Sequence, residues 1–122
     1  MKLDPTTGVP FYRQVEASLS EQIRTGRLPA GTMLLSARLQ AEALLVSVIT
    51  IKQAYDALEA GGLVYSQQGR GTFVAERGAE AARENVRAEL LRALAIACEQ
   101  ARSRGVEERE LRSLILTFLE KP

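Results

Sequence analysis

Arg70 stands between Gly69 and Gly71 inside the run "GGLVYSQQGRGTFVAERG". A guanidinium flanked by residues without side chains can bring its donors, and bare backbone, against phosphate oxygens or into a minor groove. Acid–base chemistry has poorer material. Histidine is absent, which removes the commonest general base and the commonest metal ligand together. The carboxylates alternate with Arg and Lys at helical spacings, the pattern of solvated helix faces. There is no glycine-rich strand-to-helix phosphate loop and no G-x-S-x-G elbow. Cys98 is the single cysteine, so no internal disulfide forms. It reads as a small buried hydrophobe on a helix in a reducing compartment. The expectation is a protein that is not an enzyme, with no cofactor and no metal site.

Net charge is +1, and it is evenly spread. Up to Arg77 there are eight Lys/Arg against seven Asp/Glu, and eight against eight follow. Binding to nucleic acid must therefore come from a few well-placed cations and not from a broad basic field. No apolar run is long enough to span a bilayer, and the first residues do not resemble a signal peptide, so a cytoplasmic protein without membrane contact is expected. At 122 residues the chain suits one domain, or a small domain with an appendage. With 46% hydrophobic but only 5% aromatic residues, its core must be mostly aliphatic.

The elements that must hold Arg70 follow from periodicity. Tyr12, Val15, Leu19 and Ile23 share one helical stripe, Pro10 suits the helix start, and Gly26 with the Pro29-Ala30-Gly31 turn ends it. Thr32 to Leu35 is a short extended piece. Ser36 can cap a second helix from Ala37 to about Leu44, and Ser47 a third from Val48 to Ala60. Ile51, Ala54, Tyr55 and Leu58 form the inward face of that third helix, and Gly61-Gly62 stops it. Leu63–Ser66 and Thr72–Ala75 then alternate as the two arms of a β-hairpin whose tip carries Arg70.

Beyond Gly78 the composition turns to Ala, Glu, Arg and Leu. Val86, Leu90, Leu94, Ala97 and Ala101 recur close to a heptad seam until Gly105. Val106 and Leu111 can staple a cap at Glu107, with Glu110 in the capping-box position. Leu111, Leu114, Ile115 and Phe118 face one side of a last helix ending at Pro122. The fold class expected is mainly α with a small β-hairpin: a winged helix-turn-helix over residues 1–77 and a two-helix dimerisation tail over 78–122.

The segments "PFYRQVEASLSEQIRTGRLPAG", "LSAR" and "VSVITIKQAYDALEAGGLVYSQQGRGTFV" resemble the GntR-type transcription regulators, and the short tail resembles their YtrA-like subfamily. The resemblance covers about two-thirds of the chain. It implies a sequence-specific DNA-binding regulator, a repressor, acting as a homodimer on a palindromic double-stranded operator, without a large effector-sensing domain. It assigns Arg38, Ser47, Thr50, Lys52, Gln68, Gly69 and Arg70 to DNA, and the Val86–Ala101 and Leu111–Phe118 stripes to the dimer interface. No effector ligand is indicated.

Several positions depart from the family pattern. Leu35 replaces a usual proline, Gln40 a leucine, Leu45 a turn glycine and Val48 an arginine, and Leu39 stands where a polar residue is common. The missing glycine ordinarily allows the bend between helices two and three, and Leu45 in its place would let those helices run together as one. Leu35, Leu39, Leu45 and Val48 also put apolar side chains on or beside the surface expected to face DNA. The alternative reading is a winged-helix scaffold that has lost or altered DNA binding and uses the face around Leu39, Leu45 and Val48 for protein or self-association.

Overall fold

The first helix, α1 (Phe11–Arg24), begins where Pro10 takes the N-cap position and its carbonyl accepts from the Arg13 and Gln14 amides. The computed structural model describes residues 1–121. Val15, Leu19 and Ile23 are buried on one face of α1, as the spacing of three to four residues requires. Gln14 turns its side-chain amide back to the Asp4 backbone and the Val9 carbonyl, tying the first residues to this helix.

Helices α2 (Ala37–Leu44) and α3 (Val48–Ala60) are separate. The residue between them, Leu45, has φ 57° and ψ 45°, in the left-handed region. It is the one non-glycine residue with positive φ among the described residues. The bend is closed by the Ala41 carbonyl, which accepts from the amides of both Leu45 and Val46. Val46 then packs against the core that holds Ala41, the apolar contact that accompanies such helix ends. So the turn survives without glycine, and helix fusion through Leu45 does not occur. Helix α3 ends on the more usual residue: Gly62 has φ 83°, and the Leu63 amide reaches the Leu58 carbonyl at 3.0 Å.

Strands β1 (Val64–Gln67) and β2 (Gly71–Val74) form an antiparallel hairpin with Tyr65 opposite Phe73. Both start one residue away from the sequence expectation. Leu63 is taken by the helix end, and Gly71 pairs with Gln67. The tip closes through the Arg70 amide to the Gln67 carbonyl, with Gly69 at φ 78° inside the turn. A short outer strand adds to this ladder. Leu34 donates to Thr72 and Val74 donates to Thr32, both at 2.8 Å, with Met33 bridged to Phe73.

One aliphatic core joins α1, α2, α3, Leu34, Leu63 and the wing residues Val64 and Val74. Among the described residues it contains no charged side chain and no buried polar atom without a partner. Fully burying one of its largest members, Ile23, Ile51 or Leu58, stabilises the fold by about 1.5–3 kcal/mol.

Helix α4 (Gly78–Ser103) starts against this core. Its first residue is buried so tightly that a Cβ there would come 2.8 Å from the Leu63 carbonyl oxygen and 3.2 Å from a Val74 methyl. Ala82 is fully buried one turn later, and Asn85 donates to the Gly61 carbonyl. Met1–Asn85 make one compact unit, and the chain from Val86 onward makes a second.

Within that second unit, the remaining turns of α4 are followed by α5 (Glu108–Leu119). Cys98, Ala101, Val106 and Leu111 are half-buried, whereas Val86, Leu90, Leu94, Ala97, Leu114, Ile115 and Phe118 are exposed. Cys98 is therefore less enclosed than its sequence reading. Glu107 is the N-cap of α5 but makes no side-chain capping bond, because a glutamate stem is too long for the short loop that Ser, Thr or Asp close. Helix α5 ends at Leu119 with Glu120 as its C-cap, short of the expected end at Pro122, which itself lies outside the described residues.

Candidate nucleic-acid interface

The site is built on the two capped helices. Ser36 Oγ accepts from the Leu39 amide at 3.2 Å and fixes the start of α2. Ser47 Oγ accepts from the Thr50 amide at 3.1 Å and lies 2.8 Å from Thr50 Oγ1. One residue thus starts α3 and gathers two hydroxyl groups at its first turn. The Val48 and Ile49 amides precede the first intrahelical bond and have no partner among the described residues. Such free donors give a helix start its partial positive charge.

Two side chains of α3, Tyr55 and Glu59, lock it to its neighbours. The buried Tyr55 hydroxyl donates to the Leu35 carbonyl at 2.8 Å, holding the lead-in to α2. Burial pushes the Tyr55 pKa up from 10.0 to about 12, so this donor keeps its proton well into alkali. Glu59 accepts from both the Ser66 amide and its hydroxyl, at 3.2 and 3.1 Å, tying the base of β1 to α3. Tyr65 and Phe73 stack across the hairpin with ring centroids 5.7 Å apart. Sequence reasoning assigned Tyr55 only to the core and did not find the Glu59–Ser66 link. The partners lie 20 and seven residues apart, with no local motif to join them.

Arg38 on α2, Lys52 on α3 and Arg70 at the wing tip are all exposed. None of the three joins an ion pair among the described residues, and Glu42, four residues after Arg38, does not engage it. Some other arginines are held: Arg13 lies 2.9 Å from Glu16, Arg77 2.6 Å from Glu80 and Arg112 2.8 Å from Glu108. Arg24, Arg83, Arg87, Arg92 and Arg104 are likewise exposed and outside any ion pair among the described residues. Ser47 and Thr50 are brought into direct contact. Arg38, Lys52, Gln68, Gly69 and Arg70 stand apart, joined to one another by no side-chain hydrogen bond among the described residues.

The apolar departures are exposed as well. Leu45 is 92% exposed, Ile49 69% and Val48 37%, with Leu35 and Leu39 about half exposed. Ile49 was missed as a surface residue. The signal was present: Ile51, Ala54, Tyr55 and Leu58 face inward, so Ile49, Lys52, Gln53 and Asp56 fall on the opposite stripe at helical spacing.

A capped helix pair with a tight bend, followed at once by a hairpin bonded to the second helix, defines a winged helix-turn-helix, a DNA-binding module of transcription regulators. Residues 11–74, just over half of the chain, match the model of the bacterial regulatory proteins of the gntR family. The chain belongs to this family. It is 34% identical over 106 residues to the HTH-type transcriptional repressor NagR of Bacillus subtilis, covering 87% of this chain and 40% of that one. Among solved structures, YtrA from Sulfolobus acidocaldarius, a GntR-family transcription factor, superposes with a TM-score of 0.63 at 33% identity. That match covers 77% of this chain and 96% of the other, and a YtrA-like assignment fits. The AraR DNA-binding domain in complex with operator ORE1 superposes with a TM-score of 0.54 at 34% identity, covering 60% of this chain and 89% of that one. The chain spans well under two-thirds of the length of the first curated relatives it matches.

Proposed function

We propose that this protein is a homodimeric transcription repressor that binds a palindromic operator with its winged helix-turn-helix and performs no catalysis. The observation that carries the reading is the placement of the exposed cations Arg38, Lys52 and Arg70, outside any ion pair among the described residues, on the two helices and wing of a fold shared with the AraR DNA-binding domain, whose structure is a complex with operator ORE1. In this reading Arg38 and Arg70 grip phosphate or groove edges and Gln68 and Gly69 let the wing backbone approach closely. The hydroxyls of Ser47 and Thr50 and the free amides of α3 meet phosphate, and Lys52 faces the major groove. A DNA-bound regulator of this bacterial family works in the cytoplasm, and among the described residues no helix is long and apolar enough to cross a membrane.

Dimerisation follows from energetics. One short helix and one wing make few specific contacts, and two copies roughly add their binding free energies on half-sites about 34 Å apart. Within the stripes Val86–Ala101 and Leu111–Phe118, the exposed side chains Val86, Leu90, Leu94, Leu114, Ile115 and Phe118 have the apolar character that a partner copy would cover. Residues 1–77 would then act as the reader and 78–122 as the pairing segment. A gel shift against palindromic duplexes at graded salt tests the proposal. With Arg38 and Arg70 from each protomer neutralising about four phosphates, affinity falls about 100-fold between about 50 and 200 mM salt. No binding at low salt refutes it.

A second reading rests on Leu45, Leu39 and Val48, whose exposure suits a face for protein or self-association. Polar residues at Leu39 and Val48 would dissolve any assembly larger than a dimer. An unchanged particle size would dispose of that reading.

A further inference from the structure

We infer that Ile49, supported by Val48, reads the C5-methyl group of a thymine in each operator half-site. The inference rests on the DNA-binding reading above. It starts from an anomaly: the first turn of α3 presents two β-branched apolar side chains to solvent, with Ile49 69% exposed and Val48 37%. Neither has a donor or acceptor, so neither can form a hydrogen bond with a phosphate or a base edge.

Their position selects the partner. They are the first two residues of α3, beside the Ser47 cap and the unpartnered amides, where a recognition helix meets base edges. The same outward stripe continues with Lys52, Gln53 and Asp56, all exposed. These are side chains with the donors and acceptors for guanine, adenine and cytosine edges. The stripe is thus polar in its later turns and apolar at its start. In the major groove only thymine displays a methyl group, and an aliphatic side chain is the group that complements it. Val48 and Ile49 therefore convert a turn that otherwise reads charge into one that reads a methyl.

Removing one methyl from such a contact weakens binding about four-fold, and removing one from each half-site about 15-fold. The test begins with duplexes selected from a random pool by the purified chain at about 50 mM salt. In the tightest duplex each thymine is then replaced, symmetrically in both half-sites, by deoxyuridine, which differs only by the methyl. Fluorescence anisotropy should show one or two positions at which binding weakens by about 15-fold. In Ile49→Ala, whose fold is checked by circular dichroism, thymine and deoxyuridine at that position should bind alike. Equal binding of the two bases at every position in the unmodified protein overturns the inference while leaving DNA binding intact. So does a thymine preference that persists in both Ile49→Ala and Val48→Ala. If Ile49→Ala instead changes only particle size, the face belongs to a protein contact and the inference is overturned. Recovery of no duplex at all strikes the DNA-binding reading first and removes this one with it.

Discussion

Replacing Leu45 by glycine should stabilise the protein, and the sign of that change is diagnostic. Leu45 holds φ 57° and ψ 45°, a conformation that costs an L-residue roughly 1–2 kcal/mol because Cβ crowds the following carbonyl. Its side chain is 92% exposed, so truncation gives up almost no buried surface. Glycine removes the steric term but makes the unfolded chain more flexible, a loss of roughly 0.5–1 kcal/mol. The net gain is about 0.5–1 kcal/mol, or about 2–5 °C in Tm for a chain of this size. Leu45→Ala keeps Cβ and should change stability by less than about 0.5 kcal/mol, while Leu45→Asn should lie between, since Asn tolerates the left-handed region. The assay is urea unfolding followed by circular dichroism at fixed protein concentration, because any pairing makes midpoints concentration-dependent. A continuous helix through this position would give the opposite sign, since glycine in a helix interior costs about 1 kcal/mol. A destabilised Leu45→Gly would therefore refute the strained-turn account.

Other outcomes follow from the same geometry. Gly78→Ala should destabilise by about 1–3 kcal/mol in urea unfolding, because the new methyl meets the Leu63 carbonyl oxygen at 2.8 Å. Tyr55→Phe removes the bond to the Leu35 carbonyl and should cost about 1 kcal/mol. The folded Tyr55 pKa lies above its ordinary value, so its contribution is complete below pH 10.0 and is lost as pH rises toward about 12. Tyr55→Phe should flatten that alkaline limb of the stability profile. Arg70→Ala should weaken all duplexes by a similar factor and lower the salt slope of a dimer by about two, measured by anisotropy across salt. Glu59→Ala should speed hydrogen exchange at the Ser66 amide, which loses its acceptor, while core amides of α1 keep their protection.

Much of this architecture could be read from residue spacing. The stripes on α1 and α3, the serine caps and the hairpin tip all rest on contacts within a few residues, where local geometry decides the outcome. Leu45 was not legible in the same way. The rules for left-handed residues point to glycine or asparagine, and only the tertiary pull of Val46 into the core keeps a leucine there. The outer strand through Met33 was visible as an extended piece, but not its pairing, since its partner Phe73 lies 40 residues on. On the candidate site, the exposure of Arg38 and Arg70 was expected from their positions. The links from Tyr55 and Glu59 depend on how α3 is rotated against segments distant in sequence. Ile49 falls between the two cases: the inward face of α3 implies its exposure, but no motif marks an outward isoleucine as a functional residue.

The links from α3 to Leu35 and to Ser66, with the strand at Met33 laid along β2, have a consequence for recognition. Helix and hairpin are braced from both sides before any duplex arrives, so their separation is a property of the free protein. Little ordering remains to oppose association, and the bound and unbound forms of this calliper should superpose. Operators would then be sorted by whether their grooves already match its fixed gap, which makes duplex width and stiffness part of what is read.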